Sequence, residues 1–145
     1  PLLPITTART FGIPTNYTLE NRLSIYKQES EIIREMAEKS DCIIVGRCAD
    51  YALKDMPGLV SVFISADMDF KIKRVIEMYG CDEVKAKDII NKTNKKRASY
   101  YNFYSNKKWA DSRSYNLCIN SSVVGIENAA DLIIQFMNLK LNKKD

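Results

Sequence analysis

The sequence has 145 residues, of which 46% are hydrophobic and 28% charged, and its net charge is +4. That length suits one domain able to bury a sizeable core, and the composition is that of an ordinary globular chain, not a disordered or collagen-like one. The apolar runs are short, Cys42-Ile-Ile-Val45 being typical, and none reaches the length needed to cross a bilayer as a helix.

Residues 1–18 read as loop, holding three of the four prolines and one of the five glycines. The first residue is Pro and no basic-then-apolar leader pattern follows, so no signal peptide is visible and the expectation is a sequence that begins inside a longer protein. Residues 19–39 form an amphipathic helix, since Leu19, Leu23, Tyr26, Ile33 and the pair Met36/Ala37 recur at helical spacing. Ser40-Asp41 ends it. The continuous apolar run 42–45, closed by Gly46, has the pattern of a strand buried on both faces. A short helix over 47–54 and a Pro57-Gly58 turn lead to a second strand over 59–65. Asp67 or Asp69 caps a helix ending near Tyr79, and Gly80 suits the left-handed residue beyond it. Asp82 caps a long helix over 83–104, whose second half is basic and aromatic. A loop over 106–113, a third strand within 114–120, a last helix over 126–139 and a polar, fraying tail complete the chain. Strands alternating with helices predict a parallel α/β sheet, and ligands of such sheets bind at the carboxyl ends of the strands. Attention falls on Gly46-Arg47, Ser65-Ala-Asp67 and Asn120-Ser-Ser122.

The four cysteines, 42, 48, 81 and 118, include no Cys-x-x-Cys spacing, and there is no histidine. That argues against a zinc site and predicts a reduced, cytoplasmic protein, with Cys42 and Cys118 packed as small hydrophobes in their strands. Charge is uneven: Lys92, Lys95, Lys96, Arg97, Lys107 and Lys108 occur without an acid between Lys92 and Lys108. A patch of this kind attracts phosphate, on a nucleotide or on nucleic acid.

Three groups carry candidate chemistry. Arg47 follows a strand-ending glycine and offers a planar donor fork to phosphate, with Asp50 placed to orient it or to accept from a sugar or base. A surface pair of Arg47 with Asp50 is the plain alternative, and the two stand about even. Beside it, Cys48 is either a thiol activated by the neighbouring cation or a tolerated bystander. On the long helix, Arg97, Tyr101 and Tyr104 follow i, i+4, i+7 spacing and share a face. With Lys96 they suit a nucleotide, although the tyrosines serve equally well as core. Asn120, Ser121 and Ser122 sit at a predicted strand end, where capping and turn formation is the slightly favoured reading. The glycines at 12, 46, 58, 80 and 125 build neither G-x-x-x-x-G-K-[ST] nor G-x-G-x-x-G.

Several segments, in order, resemble the cytidylate-kinase-like family of P-loop nucleoside monophosphate kinases. They are Gln28-Ser-Glu-Ile-Ile-Arg-Glu-Met-Ala-Glu38, Cys42-Ile-Ile-Val-Gly-Arg-Cys-Ala-Asp50, Val62-Phe-Ile-Ser-Ala66, Lys71-Ile-Lys-Arg74, Lys95-Lys-Arg-Ala-Ser-Tyr-Tyr101, Trp109-Ala-Asp-Ser112 and Tyr115-Asn-Leu-Cys-Ile-Asn-Ser-Ser122. The resemblance implies an α/β, three-layer, parallel-sheet P-loop kinase-like fold with a helical lid, partial here because the P-loop strand is absent. It implies residues 1–145 as part of one domain, with the lid at about 83–113. The implied activity moves a phosphoryl group from ATP, with Mg²⁺, to a nucleotide such as CMP. By resemblance Arg47 binds the acceptor phosphate, Lys96 and Arg97 act on the phosphates as the lid closes, and Asn120, Ser121 and Ser122 sit near the adenine. Asp50, Tyr101 and Tyr104 join the acceptor site; where cytidylate kinases carry an Arg, Asp, Arg series, this chain has Arg97, Tyr101 and Tyr104. Those kinases also flank the Gly-Arg pair with Asp, where Val45 and Cys48 stand here. In that fold the P-loop strand lies between the Gly-Arg strand and the Val-Phe-Ile strand, so an upstream strand, Gly-rich loop and helix are expected. The alternatives are a non-catalytic nucleotide-binding or regulatory protein on the same fold, and a nucleic-acid-binding module using the basic aromatic helix. Modest net charge and the lack of a recognition motif rank nucleic acid last. No membrane partner is expected, and self-association is left open.

Overall fold

The computed structural model describes residues 19–142; the expectations for 1–18 and for the last three residues lie outside them. The described chain runs α1 (Leu19–Lys39), α2 (Ala49–Ala52), β1 (Val62–Ser65), α3 (Met68–Tyr79), α4 (Glu83–Ser105), a 3₁₀ turn (Ser112–Ser114), β2 (Leu117–Asn120), α5 (Ser121–Val124) and α6 (Ile126–Leu141). It is a mostly helical α/β arrangement around a small parallel sheet. β1 pairs with β2 in register from Val62 opposite Leu117 to Ser65 opposite Asn120.

Helix starts follow local chemistry. The Asp82 carboxylate accepts from the Lys85 N–H at 2.7 Å, capping α4. Gly80 takes φ 61° at the end of α3, and its N–H bonds the Ile76 carbonyl. Asp67 occupies the N-cap position of α3, but its side chain does not cap the helix; the carboxylate is engaged by Asn120 instead.

Two apolar clusters hold the elements together. Ile33 of α1 packs with Ala49, Ala52 and Leu53, joined by Ala37, Ile44, Met56 and Leu59. Arg34 Nε reinforces this contact by donating to the Ala52 carbonyl at 3.0 Å. The second cluster is Ile72 of α3 with Ala86 and Ile90 of α4, flanked by Val75, Ile76 and Cys81. At the amino end of the sheet, Asn116 accepts from the Ser61 N–H at 3.0 Å and from Lys140 Nζ at 2.8 Å. Lys140 also donates to the Leu59 carbonyl, which fastens α6 across the strand starts.

The clearest departure from the sequence reading is at 42–45. These residues join no sheet, and no backbone hydrogen bond ties them to another element among the described residues. Ile43 is 96% exposed and Val45 88%. The other two strands form but are shorter than expected, and β1 has a partner on one side only among the described residues. The pattern of a doubly buried strand is thus present without the neighbour that would bury it. The stripe of α1 shares this fate: Leu19, Leu23 and Met36 are exposed, and only Ser30 and Ile33 are buried. Cys42 and Cys118, expected to be packed, are also exposed.

Candidate functional site

The segment 42–45 ends in three consecutive left-handed residues, Gly46 (φ 78°), Arg47 (φ 56°) and Cys48 (φ 52°). Non-glycine residues pay about 1–2 kcal/mol each for this conformation because Cβ crowds the carbonyl, so such a run persists only where its surroundings hold it. Here Cys48 and Ala49 are buried at the start of α2, and the turn swings Arg47 outward.

Arg47 meets a partner that sequence reasoning did not single out. Its Nη1 lies 3.2 Å from Glu29 Oε1 on α1. The other oxygen, Oε2, accepts from the Tyr100 hydroxyl of α4 at 2.7 Å. The guanidinium carbon stands 5.9 Å from the centre of the Tyr100 ring. Burial, and then the Glu29 carboxylate, push the Tyr100 hydroxyl well above the usual phenol range, so it stays a donor. The signal for Glu29 was its phase: it falls three residues after Tyr26 and four before Ile33, on the inward face of α1.

Asp50 does not pair with Arg47. Its Oδ2 accepts from the Tyr101 hydroxyl at 2.7 Å, and Tyr101 stacks on Tyr115 with ring centres 6.0 Å apart. Burial first, and Asp50 second, keep that phenol protonated. Tyr104 stacks on Tyr26 at 4.2 Å and donates to the Arg22 carbonyl at 3.2 Å. The Tyr101 and Tyr104 hydroxyls are thus both bonded within the chain, and both rings are in aromatic contacts. Lys96 and Arg97, on the same helix, are exposed and make no ion pair or hydrogen bond among the described residues. Lys92, from the same basic run, is paired with Asp88 at 2.8 Å.

Cys48 follows the bystander reading: it is buried at the start of α2. Burial, followed by the nearby Asp50 and Glu29 carboxylates, pushes its pKa up to about 12. Arg47 cannot offset this, because its charge is already turned toward Glu29.

At the carboxyl ends of β1 and β2 a closed polar network forms. Asn120 Nδ2 donates to Asp67 Oδ1 at 2.9 Å, and its Oδ1 accepts from Ser122 N–H at 3.1 Å and Ser122 Oγ at 2.5 Å. Ser122 Oγ accepts from the Asp67 N–H at 2.9 Å, and Ser121 Oγ donates to the Ser65 carbonyl at 3.0 Å. Asn120 and Ser122 hold the Asp67 carboxyl below its ordinary pKa. These groups join the strand ends to each other, as the capping reading expected.

A cleft of about 250 Å³ lies beside Asp50, bordered by Lys54, Lys107, Lys140, Ser61 and Asn116; Arg47 does not line it. Among the described residues no group of three or more His, Cys, Asp or Glu could hold a metal ion. No helix of the described residues is long and apolar enough to cross a membrane.

Comparison with known proteins fits this picture. No curated protein matches the chain. The crystal structure of an uncharacterized protein from Eubacterium ventriosum is similar at 42% identity and a TM-score of 0.77, covering 80% of this chain and 73% of that one. A model of the cytidylate kinase-like family matches residues 5–123, a stretch that takes in α1, the left-handed Arg47 turn, both strands and the Tyr100–Tyr101 pair, and so the chain belongs to the cytidylate kinase-like family.

Proposed function

We propose that this chain is the acceptor-binding and lid portion of a phosphotransferase that passes a phosphoryl group from ATP to a nucleoside monophosphate such as CMP. The observation that carries the reading is Arg47: a cation held outward on a left-handed turn, with one nitrogen on Glu29 and its face toward Tyr100. An arginine so placed suits the dianion of a monophosphate. Lys96 and Arg97 supply further positive charge on α4, which forms the lid with the rest of 83–113. Phosphoryl transfer is accelerated by positioning and electrostatics, so this set of residues needs no activated nucleophile. ATP and Mg²⁺ are held elsewhere, on a strand, Gly-rich loop and helix preceding this sequence. That strand lies between 42–45 and β1, completing a three-layer parallel sheet, and the bare flanks of both segments support this placement. A parent sequence with no such segment would sink it.

The test is a calorimetric and thermal-shift titration of the full-length protein with CMP, dCMP, UMP and AMP, with and without Mg·ATP. One monophosphate should raise the melting temperature by mass action. Arg47→Ala should weaken it about 10- to 100-fold, the worth of a charged hydrogen-bonded contact. Arg97→Ala should weaken the joint response to monophosphate and Mg·ATP.

A second reading, nucleotide binding without catalysis, is favoured by one observation. The Tyr101 and Tyr104 hydroxyls are committed to Asp50 and the Arg22 carbonyl, where cytidylate kinases have charged groups. Binding of a monophosphate with no turnover in a coupled assay would select it.

A further inference from the structure

We propose that Glu29 is a positioning residue for Arg47, holding one nitrogen of the guanidinium so that the rest of the fork is presented to the phosphate of a nucleoside monophosphate. This rests on Arg47 being the acceptor-phosphate ligand.

Both carboxylate oxygens of Glu29 are in use. One takes Arg47 Nη1 at 3.2 Å, and the other takes the Tyr100 hydroxyl at 2.7 Å. The tyrosine fixes the carboxylate, and the carboxylate fixes the arginine. The contact to Arg47 is a single-nitrogen one. A pair built only to neutralise charge would use the two-bond, fork-to-fork geometry that arginine and carboxylate favour. No second carboxylate pairs with Arg47 among the described residues, and its side chain is 60% exposed, against 30% for Glu29. The outer edge of the fork is therefore left toward solvent, on a turn whose left-handed backbone restricts where the side chain can start. A dianionic phosphate can take two parallel N–H donors there, with Glu29 behind and the Tyr100 ring alongside. The arrangement also joins α1, the turn and α4 through one carboxylate, so the basic helix is docked by the residue that aims the arginine.

The test is isothermal titration of CMP into full-length protein carrying Glu29→Ala, Glu29→Gln, Tyr100→Phe, Arg47→Ala, or Glu29→Ala with Arg47→Ala. Glu29→Ala should weaken CMP about tenfold, within the coupling range for residues in contact. Glu29→Gln keeps an oxygen for Arg47 and should recover most of that loss. Tyr100→Phe keeps the ring but frees the carboxylate, and should lose about threefold. The double variant should bind CMP no worse than Arg47→Ala alone, because Glu29 reaches the monophosphate through Arg47. A purely structural role would lower melting temperature in all backgrounds and leave this non-additivity out. Should Glu29→Ala not fold, the Gln and Tyr100→Phe variants carry the same comparison. Wild-type affinity in Glu29→Ala or Tyr100→Phe, or losses that multiply in the double variant, overturns the proposal while Arg47 keeps its role. If the wild type binds no monophosphate, or Arg47→Ala binds like the wild type, the reading of Arg47 falls and this proposal with it.

Discussion

Cys48 is the residue whose environment decides most about its behaviour. It is 3% exposed, and its pKa stands at about 12 against an ordinary 9.0. The folded state thus holds the proton more tightly than the unfolded state. Its contribution is complete below pH 9.0 and is lost as pH rises toward about 12. Melting temperature should fall over that window, and Cys48→Ser should flatten the fall. In the folded protein at pH 8, thiol-labelling kinetics should show Cys118 reacting while Cys48 does not, since the thiolate is the reactive form and Cys118 is exposed while Cys48 is buried. Tyr101 illustrates a second residue-scale effect. Tyr101→Phe removes the donor to Asp50 and should cost about 1–3 kcal/mol in chemical denaturation, as the carboxylate loses its partner in a half-buried place.

Among elements, α4 combines a cap, a tight helix contact and an aromatic end. Asp82→Ala should cost about 1 kcal/mol through the lost bond to the Lys85 N–H. Ala86 is fully buried against α3, so Ala86→Leu should destabilise by about 1–3 kcal/mol through overpacking. Both are measurable by urea unfolding. Elements of this kind were legible in the sequence: helical periodicity placed α1 at its observed limits, Asp82 announced the start of α4, and Gly80 its left-handed place. The polar cluster Asn120-Ser121-Ser122 was legible as strand-end capping. The segment 42–45 joins no sheet among the described residues, because period and composition report what a strand needs around it, not whether that neighbour is there. Glu29 escaped notice because a lone acid on an amphipathic helix is ordinary. Its role depends on Arg47 and Tyr100, 18 and 71 positions away, and such pairing is written only in the folded chain.

At the scale of the whole molecule, the described residues bury little and expose much. Ile43, Val45, Ile64 and Val123 all face outward, which is an uncommon density of apolar surface for a protein that stands alone. On the proposed completion of the sheet, Ile43→Ala in the full-length protein should cost about 2–4 kcal/mol, as for a core side chain. A change within about 0.5 kcal/mol, as at an ordinary surface position, would count against that completion.

Helix α4 touches its surroundings at two distant places, Ala86 and Ile90 against α3 and the tyrosines against α1 and Asp50. Ala86 and Tyr101 are fifteen residues apart on one helix, about 22 Å at 1.5 Å per residue. Mechanically it is a beam clamped at its aromatic end. A tilt of about 10° at the clamp carries the far end through about 4 Å. A small shift of the Tyr100 hydroxyl against Glu29, or of the Tyr101 hydroxyl against Asp50, would thereby be levered into a larger displacement at the α3 contact.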